Sequence, residues 1–122
     1  MDNKVLKHIG LEIIESDLED FYRDLLNLEI VGHGLVEEEM AGRLFGIHQR
    51  VDVHYAKGDG YELELFIYQN TLPPNFRHIC IETNRARKIY DLSLKKGYYS
   101  VIQKNKDRES YFIEDRNGNI FE

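Results

Sequence analysis

A five-residue phrase occurs twice in this chain, and the repeat restricts the possible fold more than any other feature. His8-Ile9-Gly10-Leu11-Glu12 returns seventy positions later as His78-Ile79-Cys80-Ile81-Glu82. A stretch with helical spacing follows each copy. Each half also closes with a glycine four residues ahead of a glutamate, Gly60 before Glu64 and Gly118 before Glu122. Two halves therefore offer two histidines and two glutamates at related positions, a natural set of donors for a divalent cation.

The local patterns spell out the repeating unit. From Val5 to Ile13 the apolar Val5, Ile9, Leu11 and Ile13 share one parity, while His8, Gly10 and Glu12 share the other, the alternation of a half-buried strand. His8 thus points away from the face that packs on a helix. Ser16 with Glu19 reads as a capping box, and Leu18, Phe21, Tyr22, Leu25 and Leu26 recur at helical spacing, so a helix is expected over 17–27. Leu28 to Val36 reads as a strand, and Glu37, Glu38 and Glu39 as a solvated edge or loop. Val51, Val53 and Tyr55 alternate with Arg50, Asp52 and His54, and the turn Lys57-Gly58-Asp59-Gly60 leads into a strand reaching Tyr68. Matching Val53 with Leu63 requires an odd-length loop, and that register sets Arg50, Asp52 and His54 on the face of Glu64.

Pro73-Pro74 stops the strand and marks the boundary between halves. Phe76, His78, Cys80 and Glu82 share a strand face, 85–96 is a helix ending at Gly97, and 99–102, 111–114 and 119–122 supply three strands. The expected architecture is α+β: one domain, 1–122, made of βαβββ modules over 4–70 and 75–122. Its length suffices for a single sizeable core.

Composition narrows the function. A net charge of −6 argues against a non-specific grip on nucleic acid or an anionic membrane. No apolar run approaches a membrane span and no signal peptide is evident, so a cytoplasmic protein is expected. The single cysteine, Cys80, allows no intrachain disulfide. A lone strand histidine is usually structural, but four donors on one helix-free face favour a metal site, and the mixed imidazole and carboxylate set suits Zn, Ni, Co, Mn or Fe(II).

These residues resemble a known group. The doubled βαβββ pattern, the early His8-Ile9, Glu64-Leu65 after a glycine turn, Arg77-His78-Ile79, and the closing Asp115-Arg116-Asn117-Gly118-Asn119-Ile120-Phe121-Glu122 look like the vicinal oxygen chelate superfamily. That group includes glyoxalase I, methylmalonyl-CoA epimerase, extradiol dioxygenases and the fosfomycin- and bleomycin-resistance proteins. The resemblance covers nearly the whole chain and implies a glyoxalase-like half-barrel with a concave metal site.

The His, Glu, His, Glu set is most similar to glyoxalase I (lactoylglutathione lyase). By that resemblance His8 and Glu64 hold the metal from the first module and His78 and Glu122 from the second, with Ni, Co, Zn or Mn as the ion. A small substrate with adjacent oxygens chelates it, and the Lewis acid stabilises the enediolate formed when a neighbouring proton leaves. Glu122 or Glu64 shuttles that proton, with Glu122 preferred because a terminal strand moves more easily. The resemblance also implies a homodimer with its sites between subunits, although the residues alone leave an intrachain site open.

Two departures matter. Bacterial glyoxalase I usually has Arg four residues after its first His, where it helps hold glutathione, and this chain has Glu12. It tends to have Asn four residues after the first-module glutamate, and this chain has Tyr68. The reaction class is therefore better marked than the glutathione substrate. Arg50 and Tyr68 are the candidate substrate contacts, with His48 and His54 near them, and Phe66 and Phe112 as further lining. The bland reading of Arg50, Asp52 and His54 is a solvated, ion-paired strand face. The rival functions are an epimerase or extradiol-type dioxygenase on the same fold, and a non-catalytic binding or resistance protein.

Overall fold

The computed structural model describes residues 4–122 and has the anticipated α+β architecture, with two sheets that do not close into a barrel. In the first half β1 (Ile9–Ile13) runs into α1, an α-turn (Glu15–Asp17) prolonged by a wider-wound stretch (Leu18–Arg23). β2 (Glu29–Val36), α2 (Glu38–Phe45), β3 (Val51–Gly58) and β4 (Tyr61–Ile67) follow, and the sheet order is β1-β4-β3-β2. β1 and β4 are parallel, the other neighbours antiparallel. The second half contributes α3 (Ala86–Lys96), β5 (Tyr99–Asn105), β6 (Arg108–Glu114) and β7 (Ile120–Phe121), paired in that strand order.

Several local expectations need correction. The helix begins at Glu15 with Ile14 as N-cap, and no side chain caps it, so Ser16 and Glu19 form no capping box. Ser16 is already inside the first turn, while Asp17 is turned into the protein and fully buried. Beyond it Asp24 N bonds to Glu19 O and Leu26 N to Phe21 O, the i to i+5 spacing of a π-wound turn. Consecutive Phe21 and Tyr22 are both buried there, and Asn27, at φ 56°, turns the chain out of the helix. The strand anticipated from Phe76 is reduced to one bridge between Ile79 and Phe121, and Phe76 itself is 99% exposed.

The segment read as a solvated edge is a helix. Glu38 and Glu39 sit in the first turn of α2, where the helix dipole favours negative charge, and Gly46 ends it at φ 70°. Missing this helix explains a second error. Val51 and Val53 are buried, which reads as packing on the main core. In fact Val53 lies opposite Phe66, whose ring meets Phe45 of α2, while Ala56 lies opposite Leu63 in the core. Both faces of β3 are covered, so its apolar parity did not reveal its register. The hairpin closes through the two-residue turn Asp59-Gly60, with Gly58 opposite Tyr61. Asp52 and His54 therefore share the face of Leu65, and Arg50, one residue ahead of β3, is not brought beside Glu64 by this pairing.

The two halves share one core. Ile13, Leu63 and Leu65 of the first sheet, Phe21, Tyr22 and Leu25 of the α1 region, and Tyr98, Ile113 and Phe121 of the second half form a single apolar cluster. Buried polar groups fasten it. Asp17 accepts the Tyr98 hydroxyl at 2.7 Å and the Arg116 guanidinium at 2.6 Å. Asn117 and Asn119 each donate a side-chain amide hydrogen to the Glu12 carbonyl, at 2.9 and 2.7 Å. The closing turn is thus sewn to β1, and Gly118 holds its left-handed backbone at φ 96°.

Candidate functional site

Strand pairing decides where the four donor side chains stand. In the first half Ile9 lies opposite Leu63 and Gly10 opposite Glu64, so Glu64 shares the face of Gly10 and His8, away from the core. The His8 Nε2 to Glu64 Oε2 distance is 3.3 Å. In the second half Ile79 lies opposite Phe121 in the same parallel sense. Glu122 donates its N–H to Ile79 O and accepts from Ile81 N, both at 2.8 Å, which sets Cys80 opposite Glu122 as Gly10 is opposite Glu64. His78 Nε2 stands 3.1 Å from Glu122 Oε1. The repeat in sequence is thus a repeat in geometry, two parallel strand pairs each carrying one His–Glu contact.

The hydrogen bonding of His78 bears on what belongs between these groups. Its Nδ1 is 2.9 Å from the Phe76 carbonyl oxygen, an atom that only accepts, so Nδ1 carries the hydrogen. On a neutral ring Nε2 then offers a lone pair toward the Glu122 carboxylate, and two electron-rich atoms at 3.1 Å require a proton or a cation between them. A ring fixed through its far nitrogen to a carbonyl is also how metal-binding histidines are usually oriented. The donor chemistry of both pairs fits a divalent ion.

The two pairs do not meet within one chain. Among the described residues no three His, Cys, Asp or Glu side chains gather to hold a cation. The fold gives the reason: the shared core joins the α1 side of the first sheet to the α3 side of the second, while His8 and Glu64 project from the other side of the first sheet, a side that α2 partly covers and that is therefore not the helix-free face expected. His78 likewise lies 6.0 Å, ring to ring, from Phe112, which is out of parity with the core residue Ile113. Each chain therefore displays two separate His–Glu pairs. The cavity of about 600 Å³ between the halves lies elsewhere: Leu25, Ile89 and Ile113 line it, and of the four donor residues only Glu122 borders it.

Of the candidate substrate contacts, Tyr68 continues the parity of Glu64 and Phe66 just past β4, anchored through its N–H to Ile13 O at 3.0 Å. Glu12 is on the same face, opposite Phe66, and accepts a hydrogen bond from the Asn70 amide at 3.1 Å. His54 stacks on His33 at 4.6 Å on the opposite face, and burial lowers its pKa. The residue that sequence reasoning missed is Phe45, half-exposed and 5.4 Å edge-on from Phe66 on the Glu64 side of the sheet. The signal was present: Met40, Ala41, Leu44 and Phe45 keep helical spacing, and Gly46 follows.

Comparison with known proteins agrees with this fold. A family profile described as the Glyoxalase/Bleomycin resistance protein/Dioxygenase superfamily matches residues 8–122. Among solved structures, a glyoxalase family protein from Bacillus cereus aligns with a TM-score of 0.67 at 19% identity, covering 98% of this chain and 93% of that one. A glyoxalase family protein from Enterococcus faecalis aligns at 0.67 and 15% identity, covering 97% and 94%. The fosfomycin resistance protein FosX from Listeria monocytogenes, in complex with Mn(II) and sulfate ion, aligns at 0.70 and 15% identity, covering 98% and 90%. No curated protein matches in sequence.

Proposed function

Because the chain belongs to the glyoxalase/bleomycin resistance protein/dioxygenase superfamily, we propose that it is a metal-dependent lyase or isomerase of the glyoxalase I kind that works as a homodimer. In this reading His8 and Glu64 of one copy meet His78 and Glu122 of a second, and the two-fold relation completes two equivalent sites. The observation that supports it is the pair of equivalent His–Glu contacts, 3.3 and 3.1 Å, that face outward and do not converge in one chain.

The chemistry that a bound divalent ion supplies is Lewis acidity, which lowers the cost of removing the proton beside the substrate's paired oxygens. The residues then have distinct tasks. The two imidazoles hold position without exchanging charge, His78 being fixed through Phe76 O. The carboxylates move the proton between adjacent carbons, and Glu122 is our candidate for that role. Its backbone N–H and C=O are both bonded to the neighbouring segment, at Ile79 and Ile81, so its travel comes from side-chain rotation and not from fraying of the strand. Glu64, flanked by full strand pairing, holds the opposite side.

Complementation tests the arrangement. A His8→Ala/Glu64→Gln variant and a His78→Ala/Glu122→Gln variant should each lose the ion that the unaltered protein retains. Unfolding and refolding them together produces mixed dimers with one intact site, recovering about one ion per four chains and a matching fraction of proton exchange at a substrate carbon. If each site lies within one chain, mixing restores nothing.

A further inference from the structure

The surfaces around the two His–Glu pairs carry a chemical bias of their own. On the first, glycines let aromatic rings lie against the sheet beside the donors. A side chain at Gly10 would come within 3.1 Å of the Phe66 ring, and one at Gly32 within 3.1 Å of the Tyr55 ring. Tyr55 stands directly opposite Glu64, and Phe45 of α2 extends the wall by its edge-on contact with Phe66. Charge on this face is mostly negative. Glu12 follows Gly10 by two residues and is held by the neutral amide of Asn70, while Lys57, the basic residue among these positions on β1, β3 and β4, is opposite Glu62.

The second face is similar near His78. Beside Phe112 it carries Tyr99, Val101, Gln103, Ser110 and Glu114, and its one basic strand position, Arg108, lies at the far end of the β5–β6 hairpin, opposite Asn105. Aromatic faces attract cations through their quadrupoles, and a cleft lined by one sign of charge focuses its field on an incoming ligand.

We infer that the site takes a flat, ring-bearing substrate with vicinal oxygens and a positive or zero net charge, and rejects anionic conjugates such as glutathione adducts. This specificity rests on the dimeric site proposed above. Glu12 sets the sign of charge accepted, Phe45 and Phe66 receive the ring, and α2 forms the wall that separates it from solvent.

Three catechols differing only in their 4-substituent test this: aminoethyl (cationic), methyl (neutral) and carboxymethyl (anionic). Titration calorimetry is run on Zn-loaded and on metal-stripped full-length protein under anaerobic conditions. The cationic catechol should bind about tenfold more tightly than the anionic one, with the neutral one between, and the ratio should narrow as salt rises. Glu12→Gln should shrink the ratio and Glu12→Arg invert it, while Phe45→Ala weakens all three alike and leaves the ratio in place. Anionic binding equal to or tighter than cationic, a ratio indifferent to Glu12→Gln in a variant that melts like the parent, or no binding of any of the three overturns the inference. Zn retained with reversed preference would sink this inference alone. Preserved preference without retained Zn would support it and sink the metal-enzyme reading.

Discussion

Asp115→Ala removes the acceptor on which the closing turn is built. One oxygen of this buried carboxylate takes the backbone N–H of Asn117 at 2.9 Å and of Asn119 at 2.8 Å. The other takes the Tyr22 hydroxyl at 2.7 Å and the Asn119 side-chain amide at 2.8 Å. The other hydrogen of the Asn119 amide goes to Glu12 O, so alanine strands four donor hydrogens: two backbone N–H groups, the hydroxyl of the fully buried Tyr22 and one amide hydrogen of Asn119. Each unsatisfied buried donor costs about 1–3 kcal/mol, and removing the buried charge returns part of that, so a net loss of about 3–5 kcal/mol is expected. Burial already raises the pKa of Asp115, which marks the part returned. Asp115→Asn keeps one oxygen for both backbone donors and sets an amide against the other two. The Tyr22 hydroxyl can rotate to accept but Asn119 cannot, so about 1–3 kcal/mol is expected. Tyr22→Phe in the alanine background removes one stranded donor, and the two changes together should cost less than their sum. With no tryptophan in the chain, urea unfolding is followed by circular dichroism, comparing midpoints at constant slope. A loss below about 1 kcal/mol for Asp115→Ala would refute the account. Because Asn119 leads directly into β7, the loss should extend to the His78–Glu122 contact and to ion retention there.

Two further outcomes follow from the backbone and from titration. Gly118→Ala should cost more than Gly60→Ala, about 2–4 against 1–2 kcal/mol, since both hold positive φ but only at Gly118 would a side chain also press on Leu72, at 3.2–3.5 Å; thermal or urea melts compare them. The pKa of His54 is lowered by burial and then by nearby His33. The unfolded chain therefore binds the proton first, and His54's contribution is fully present above about pH 6.5 and lost as pH falls through the lowered value. His54→Gln should flatten the fall of stability below about pH 6.5 relative to the parent, measured by urea midpoints as pH is lowered. An unchanged slope would contradict the assignment.

The sequence by itself determined the doubled unit and the face on which its donors lie. Period-2 alternation around His8 and the glycine-to-glutamate spacing of each half are local patterns, and a strand's two faces follow from them without knowledge of neighbours. α3 with Gly97 and the turn ending at Gly118 were legible for the same reason, because their signals lie within a few residues. Tertiary structure decided what depends on distant partners. Val53 is apolar whichever face of β3 it occupies, and only the presence of α2 over that face fixed it opposite Phe66 and carried His54 away from Glu64. Asp17 could have capped a helix, but Tyr98 and Arg116, far along the chain, draw it into the core. Whether the four donors share one chain's site was likewise beyond any local pattern. Both His–Glu pairs form locally through parallel strand pairing, yet the packing of the α1 side of one sheet and the α3 side of the other into one core turns them outward and keeps them apart within the chain.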